Sequence, residues 1–419
     1  MEKATSYSLR ARYLFPIDRP PIRDGVITVS NGRIVSLGHD SEGECRDLGD
    51  VAILPAFINA HTHLEFSSLE HPLGEPRMVF TEWIREVIRW RRTRIEQSEG
   101  SDWRHDAIRK GIEESSQGGV LSLGEIATLP RADSDGRYAA MQGINFLELL
   151  GLADDRHDEL VAAANAHVAT FKSSSRHLSP GLSPHAPYTV SPRLVDSIAT
   201  LAARTHTPVA MHLAETREEL ELLQSGSGPF CELLSELGAW HPDVIPRGST
   251  PLDYLKLLAK AERSLVIHGN YLTREEIEFA AQQRERMSVI YCARTHAYFG
   301  HERYPLQEML DCGVAVALGT DSRASNPDLN MLNELRFVAR QHQDIPPESI
   351  LRLATINAAT ALGIGESHGT LTPGKQANLI VVPISEGDSS DPYELLFGWE
   401  QSVMMVFRSK SCCTEVTRL

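Results

Sequence analysis

No stretch of this 419-residue chain approaches the roughly 18 consecutive apolar residues of a membrane span. The N-terminus, Met1-Glu2-Lys3-Ala4-Thr5-Ser6-Tyr7-Ser8, has no apolar signal core. Cysteines are few: Cys45, Cys231, Cys292, Cys312, Cys412 and Cys413, with no C-x-x-C pair. That spacing indicates neither a disulfide framework nor a thiolate zinc site, so reduced thiols in a cytoplasmic protein are expected. Cationic residues are outnumbered, 41 Lys and Arg against 56 Asp and Glu, for a net charge of -15. An acidic surface of this kind argues against nucleic acid or an anionic membrane as partner and leaves a small molecule. Apolar content of 42% and charged content of 23% are those of an ordinary globular protein, so a large core is available.

What is present is an alternation. The middle of the chain switches between apolar strand candidates and helical patterns. Helices are expected over Phe80 to Arg94, Leu194 to Arg204, Arg217 to Leu223, Pro251 to Ala261 and Arg274 to Arg284. Strand candidates end at His63, Glu125, Leu149, His185, His212, His268, Tyr291 and Asp321. Eight strand–helix units predict an α/β fold, a (β/α)8 TIM barrel over residues 55–370. The stretch from Gly226 to Pro251 reads as an inserted loop or lid. Both ends of the chain are strand-rich, with a hairpin signal at Asn31-Gly32 and apolar runs Ala377 to Val382 and Val403 to Phe407. Residues 1–54 and 371–419 are therefore expected to form one small composite β-sandwich domain.

Catalytic groups of such barrels sit at the C-terminal ends of the strands. His61 and His63 follow the apolar run Val51 to Ile58 and, at i and i+2, face one side of an extended strand. His212, His268 and Asp321 each stand where another apolar run stops. Singly, each has a structural reading: a strand cap, a satisfied core histidine, or a turn former at Gly319-Thr320-Asp321-Ser322. Jointly, at strand ends of one barrel, they point to one divalent metal. Histidines with a carboxylate and an open position suit catalytic zinc, or iron(II) or manganese. Water on such an ion has its pKa lowered from about 15.7 toward about 7. Glu215, three residues after His212, is placed to take that proton and pass it on. His268 is a candidate for orienting the attacking oxygen, and Asp321 for both ligand and proton acceptor. His185, Arg294 and His296 are candidates for contacts to substrate. No lysine occupies the fourth strand end, so one metal rather than a lysine-bridged pair is expected.

The motifs Asn59-Ala60-His61-Thr62-His63-Leu64-Glu65, His212-Leu213-Ala214-Glu215, His268-Gly269, Leu318-Gly319-Thr320-Asp321-Ser322 and Gly369 to Leu379 resemble the amidohydrolase superfamily over nearly the whole chain. The resemblance is to its aminohydrolase and chlorohydrolase branch, which includes cytosine, guanine, adenosylhomocysteine and aminofutalosine deaminases and triazine hydrolases. It implies His61, His63, His212 and Asp321 as ligands, Glu215 as proton shuttle and His268 as the residue that orients the attacking oxygen. It also implies zinc, with iron as the alternative, and a homodimer as a family-level expectation. Two positions depart from the family pattern: Asn378, where aspartate is usual, and Ala293, where proline is common after the cysteine. The segment His61 to Ser67 is more similar to aminofutalosine deaminases than to triazine hydrolases. The expected function is hydrolytic deamination of an amino-substituted heterocycle, foremost a 6-aminopurine nucleoside derivative. A chlorohydrolase or cyclic amide hydrolase using the same site is the alternative, and a non-catalytic barrel scaffold is the rival of a different class.

Overall fold

The computed structural model describes residues 6–41, 44–97, 102–128, 141–174, 177–384, 390–398, 401–409 and 414–418. The chain begins with strands β1 (Ser6–Leu14), β2 (Ile22–Ser30), β3 (Arg33–Gly38), β4 (Cys45–Asp47) and β5 (Val51–Pro55). Eight strands follow: β6 (Phe57–Thr62), β7 (Val120–Ala127), β8 (Gln142–Leu149), β9 (Leu178–Pro184), β10 (Val209–Leu213), β11 (Ser264–His268), β12 (Met287–Tyr291) and β13 (Ala315–Leu318). The last three are β14 (Leu379–Pro383), β15 (Met405–Ser409) and β16 (Thr414–Arg418).

Two compact units result, one of Met1–Asn59, Glu113–Ser122 and Asn330–Leu419, the other of Ala60–Ile112 and Leu123–Leu329. In the first, the strands from both ends form one continuous sheet in the order β16-β15-β14-β5-β1-β2-β3, with β4 also on β1. The β2–β3 hairpin turns at Asn31 and Gly32, both with positive φ, as the Asn-Gly signal requires. Alternate residues of these strands, among them Leu9, Ala11, Ile27, Val29, Ile53, Leu379, Val381 and Phe407, share one apolar core. The layers expected of a sandwich thus belong to a single sheet.

In the second sheet, neighbouring strands run in sequence order from β6 to β13, and each pair from β8 to β13 is parallel. The ends meet: Thr62 bridges Asp321 in parallel sense, and the Asp321 N–H donates to the His61 carbonyl at 3.1 Å. Every residue of β6, β7, β10, β11 and β12 is buried, as in a parallel sheet covered on both faces. This is a (β/α)8 barrel. Gly319 is needed where it closes, because a Cβ there would lie 2.8 Å from His61 Cβ and 2.9 Å from its carbonyl oxygen. No helix among the described residues is long and apolar enough to cross a membrane.

Three helices shape the open end of the barrel: α1 (Phe80–Gln97), α2 (Arg217–Ser225) and α3 (Pro229–Glu236). The last corrects the expected loop from Gly226 to Pro251. Gly226 ends α2 in the left-handed conformation, and α3 restarts after Gly228 with Pro229 in its first turn. It buries Phe230, Leu233 and Leu234. Eight residues between two glycines and a long polar stretch are too few for a helical period to stand out.

Candidate active site

His61 lies within β6 and His63 just past it, where the backbone is still extended. Their rings therefore fall on one side, with centroids 4.8 Å apart. His212 arrives from β10 and brings its Nε2 to 3.3 Å from His63 Nε2. Asp321, just past β13, sets Oδ1 3.5 Å from His61 Nε2 and 3.7 Å from His63 Nε2. Atoms of His61, His63 and Asp321 form one compact group, and His61, His212 and His268 form another that shares His61. The His212 Nδ1–H donates to the His185 carbonyl at 3.1 Å, which leaves the Nε2 lone pair facing the group.

Electrostatics favour the same role. Burial, reinforced by neighbouring histidines, holds His61 and His63 well below the usual imidazole range, with Asp321 opposing at His63. Burial brings His212 down to about 4. These rings are neutral at pH 7, as ligands must be. Three neutral imidazoles and a carboxylate converging at these distances are a donor set that fits a divalent ion of the zinc type.

Glu215 and His268 adjoin that set. Glu215 Oε1 is 3.3 Å from His268 Nε2, and both side chains are buried. Burial, then the carboxylates of Asp321 and Glu219, push the Glu215 carboxyl well above the ordinary range. His268 is held well below its ordinary value, chiefly by burial. Such a pair has a high affinity for a proton at the carboxylate and a lone pair on the imidazole.

His63, His212, Glu215, His268 and Asp321 form the floor of a cavity of about 220 Å³. Its walls are apolar: Phe80, Trp83 and Val87 from α1, Tyr188 after β9, and Phe230 and Leu233 from α3. Tyr188 and Phe230 stack at 4.0 Å between centroids. Polar groups in the wall are scarce and include Arg91, Glu148, His185 and Thr189.

A family model described as the amidohydrolase family matches residues 52–408. The chain belongs to the amidohydrolase family. It is similar, at 28% identity, to the 5-methylthioadenosine/S-adenosylhomocysteine deaminase of Moorella thermoacetica, over 91% of this chain and 86% of that protein. It is 29% identical to the aminodeoxyfutalosine deaminase of Deinococcus radiodurans, over 81% of each. A crystal structure of Helicobacter pylori aminofutalosine deaminase with methylthio-coformycin superposes with a TM-score of 0.81 at 22% identity, covering 96% of this chain and 98% of that one.

Within this amidohydrolase, six of the singled-out residues, His61, His63, His212, Glu215, His268 and Asp321, come together. His185 lines the same pocket, its Nδ1 2.7 Å from Thr189 Oγ1. Arg294 and His296 do not line it. Arg294 is committed to the Asp328 carboxylate, at 2.6 and 2.9 Å. His296 is buried among the rings of Tyr291, His301 and Tyr304. Both sit on the short helix Ala293–Phe299 that follows β12.

Two groups at the site carry no motif. Glu148 ends β8 and is buried in the pocket wall; the strand-end rule that finds His212 would have found it. Glu219, on α2, accepts from the Ala214 N–H at 2.8 Å and the Glu215 N–H at 3.1 Å. Its signal is Thr216-x-x-Glu219, a capping-box pattern. The Thr216 hydroxyl does accept from the Glu219 N–H, while the Glu219 carboxylate reaches back past the cap to the turn that carries Glu215.

Proposed function

We propose that this amidohydrolase is a hydrolytic deaminase of a 6-aminopurine nucleoside or a close relative, using one zinc ion held by His61, His63, His212 and Asp321. The observation that carries the reading is Glu215. It is a buried carboxyl with raised proton affinity, 3.3 Å from a neutral His268 and beside the candidate ligands, on the floor of an apolar, ring-sized cavity. A divalent ion supplies Lewis acidity that makes a bound water acidic near neutral pH.

The protein's own groups then account for the proton traffic. Glu215 takes a proton as the water oxygen attacks the ring carbon that bears the amino group. It delivers that proton to the adjacent ring nitrogen, a site that amidine-type rings have and simple amides lack. His268 fixes the direction of attack through its neutral ring. The C–N bond breaks, ammonia leaves with the second water proton relayed by Asp321, and the ring keeps the oxygen as a carbonyl. Apolar walls from α1 and α3 exclude bulk water and cover the ring faces.

The similarity to deaminases of methylthioadenosine, adenosylhomocysteine and aminodeoxyfutalosine supports the same substrate class. The test is ammonia release and loss of adenine absorbance by zinc-loaded protein across adenosine, methylthioadenosine, adenosylhomocysteine and aminofutalosine. Turnover of at least one is expected. Release of chloride from a chlorotriazine, or a new carboxylate from a cyclic amide, with none of the four deaminated, replaces the reading with the hydrolase alternative.

A further inference from the structure

We propose that Glu148, with His185 beside it, is the subsite for the sugar hydroxyls of the substrate and makes the enzyme selective for ribosides. This rests on the deaminase reading above. Glu148 lies at the C-terminal end of β8, with β9 between it and β10, which carries His212 and leads to Glu215. Two strand spacings amount to roughly 10 Å. A group bound to the ring on the side away from the reacting carbon reaches that far.

The hydrogen-bond pattern there lacks donors. The Thr189 hydroxyl donates to the Ala186 carbonyl at 3.1 Å, so it accepts the Nδ1–H of His185 at 2.7 Å. His185 therefore presents Nε2 as a lone pair. That atom lies 3.8 Å from Glu148 Oε1, beyond hydrogen-bonding distance. The Glu148 side chain is 3% exposed and makes no hydrogen bond among the described residues. Two acceptors face each other across a gap in the wall, where the neighbouring donor, Arg91, is engaged by Glu65, and buried acceptors of this kind are ordinarily satisfied. The missing partner is a pair of O–H donors.

Charge decides against an anionic group. Glu65 is bound by Arg91 and by Thr128 Oγ1 at 3.2 Å, with Arg104 Nε 3.8 Å away. Arg91 opposes, without cancelling, the burial that raises the proton affinity of Glu148. A second carboxylate at this spot would add an uncompensated buried charge next to Glu148, whereas a neutral diol supplies donors and adds none.

The experiment compares kcat/KM for adenosine with that for 2′,3′-dideoxyadenosine in the zinc-loaded enzyme. The wild type is expected to favour adenosine by about 10- to 100-fold, the range for hydrogen bonds to a charged group. In Glu148→Ala the ratio collapses toward one, and in Glu148→Gln, which keeps one acceptor oxygen, it falls partway. Equal use of both nucleosides by the wild type overturns the assignment without any variant. So does a Glu148→Ala enzyme that keeps the wild-type ratio. If the wild type turns over neither nucleoside and none of the four candidates above, the deaminase reading itself fails and this assignment falls with it.

Discussion

Replacing Glu219 by glutamine should slow the enzyme and at the same time remove a destabilising pH dependence. Glu219 is fully buried, and its two oxygens accept the N–H groups of Ala214 and Glu215. Glutamine keeps the shape and offers one acceptor oxygen, so one of the two N–H groups then faces an amide nitrogen. A buried donor left unsatisfied costs about 1–3 kcal/mol. Because the unsatisfied N–H then lies on Glu215 or on Ala214 beside it, we expect kcat to fall about 10-fold while the metal stays bound.

The stability effect has the opposite sign. Burial raises the Glu219 carboxyl from 4.5 to about 7, against the pull of the two N–H groups. The folded state therefore keeps a proton that the unfolded chain has lost at intermediate pH. Stability from this group is fully present below pH 4.5 and is lost as pH rises through about 7. The total is roughly 3 kcal/mol. Glutamine carries no such term. The stability of Glu219→Gln minus that of the wild type, from urea unfolding at a series of pH values, should rise by that amount between pH 4.5 and 7. Subtraction removes the titration of the ligand histidines, which is common to both proteins. A flat difference together with an unchanged kcat would refute both the buried charge and its role in holding Glu215.

Two further outcomes follow from the geometry. Glu215→Gln should retain metal but lose roughly 10²–10⁴-fold in turnover, since it removes proton transfer and spares the ligands; near-normal kcat would mean that another group carries the proton. Elemental analysis of purified protein should find one divalent ion per chain, and His61→Ala should lose that ion and activity together; two ions at full occupancy would refute the single-ion site.

The barrel was legible because its strands are buried on both faces and so read as unbroken apolar runs. β10 through β13 end within three residues of the expected His212, His268, Tyr291 and Asp321. The pocket walls were not legible. Phe80, Trp83 and Phe230 look like core residues of any amphipathic helix, and only their place in the lining of the pocket at the strand ends makes them a binding surface. Arg294 illustrates the reverse case. Its place after a strand end suggests the pocket, but nothing local reveals Asp328, 34 positions later, as the partner that takes it. Glu148 is hidden in the sequence for a third reason: a single glutamate in an apolar strand resembles an ordinary strand terminus, and its pocket neighbours come from other strands.

The motifs name the chemical groups but not the turns that aim them. Along a straight strand His212 and Glu215, three residues apart, would face opposite sides of the sheet. Both line one cavity because Ala214 between them adopts φ 52°. His268 and Asp321 make the same left-handed step, at φ 68° and 57°. Each such non-glycine residue costs roughly 1–3 kcal/mol and persists only where its surroundings hold it. Each has its carbonyl anchored: Ala214 by the Tyr271 N–H at 3.1 Å, His268 by the Tyr304 hydroxyl at 2.8 Å, Asp321 by the Thr62 hydroxyl at 2.9 Å. The strain falls on the three strand ends that carry Glu215, His268 and Asp321. A fold under no demand at those positions would place glycine there or let the strand run straight. The side chains converge because the backbone is bent against its preference, and the residues that enforce the bend, Tyr271, Tyr304 and Glu219 among them, are as much part of the site as those the motifs display.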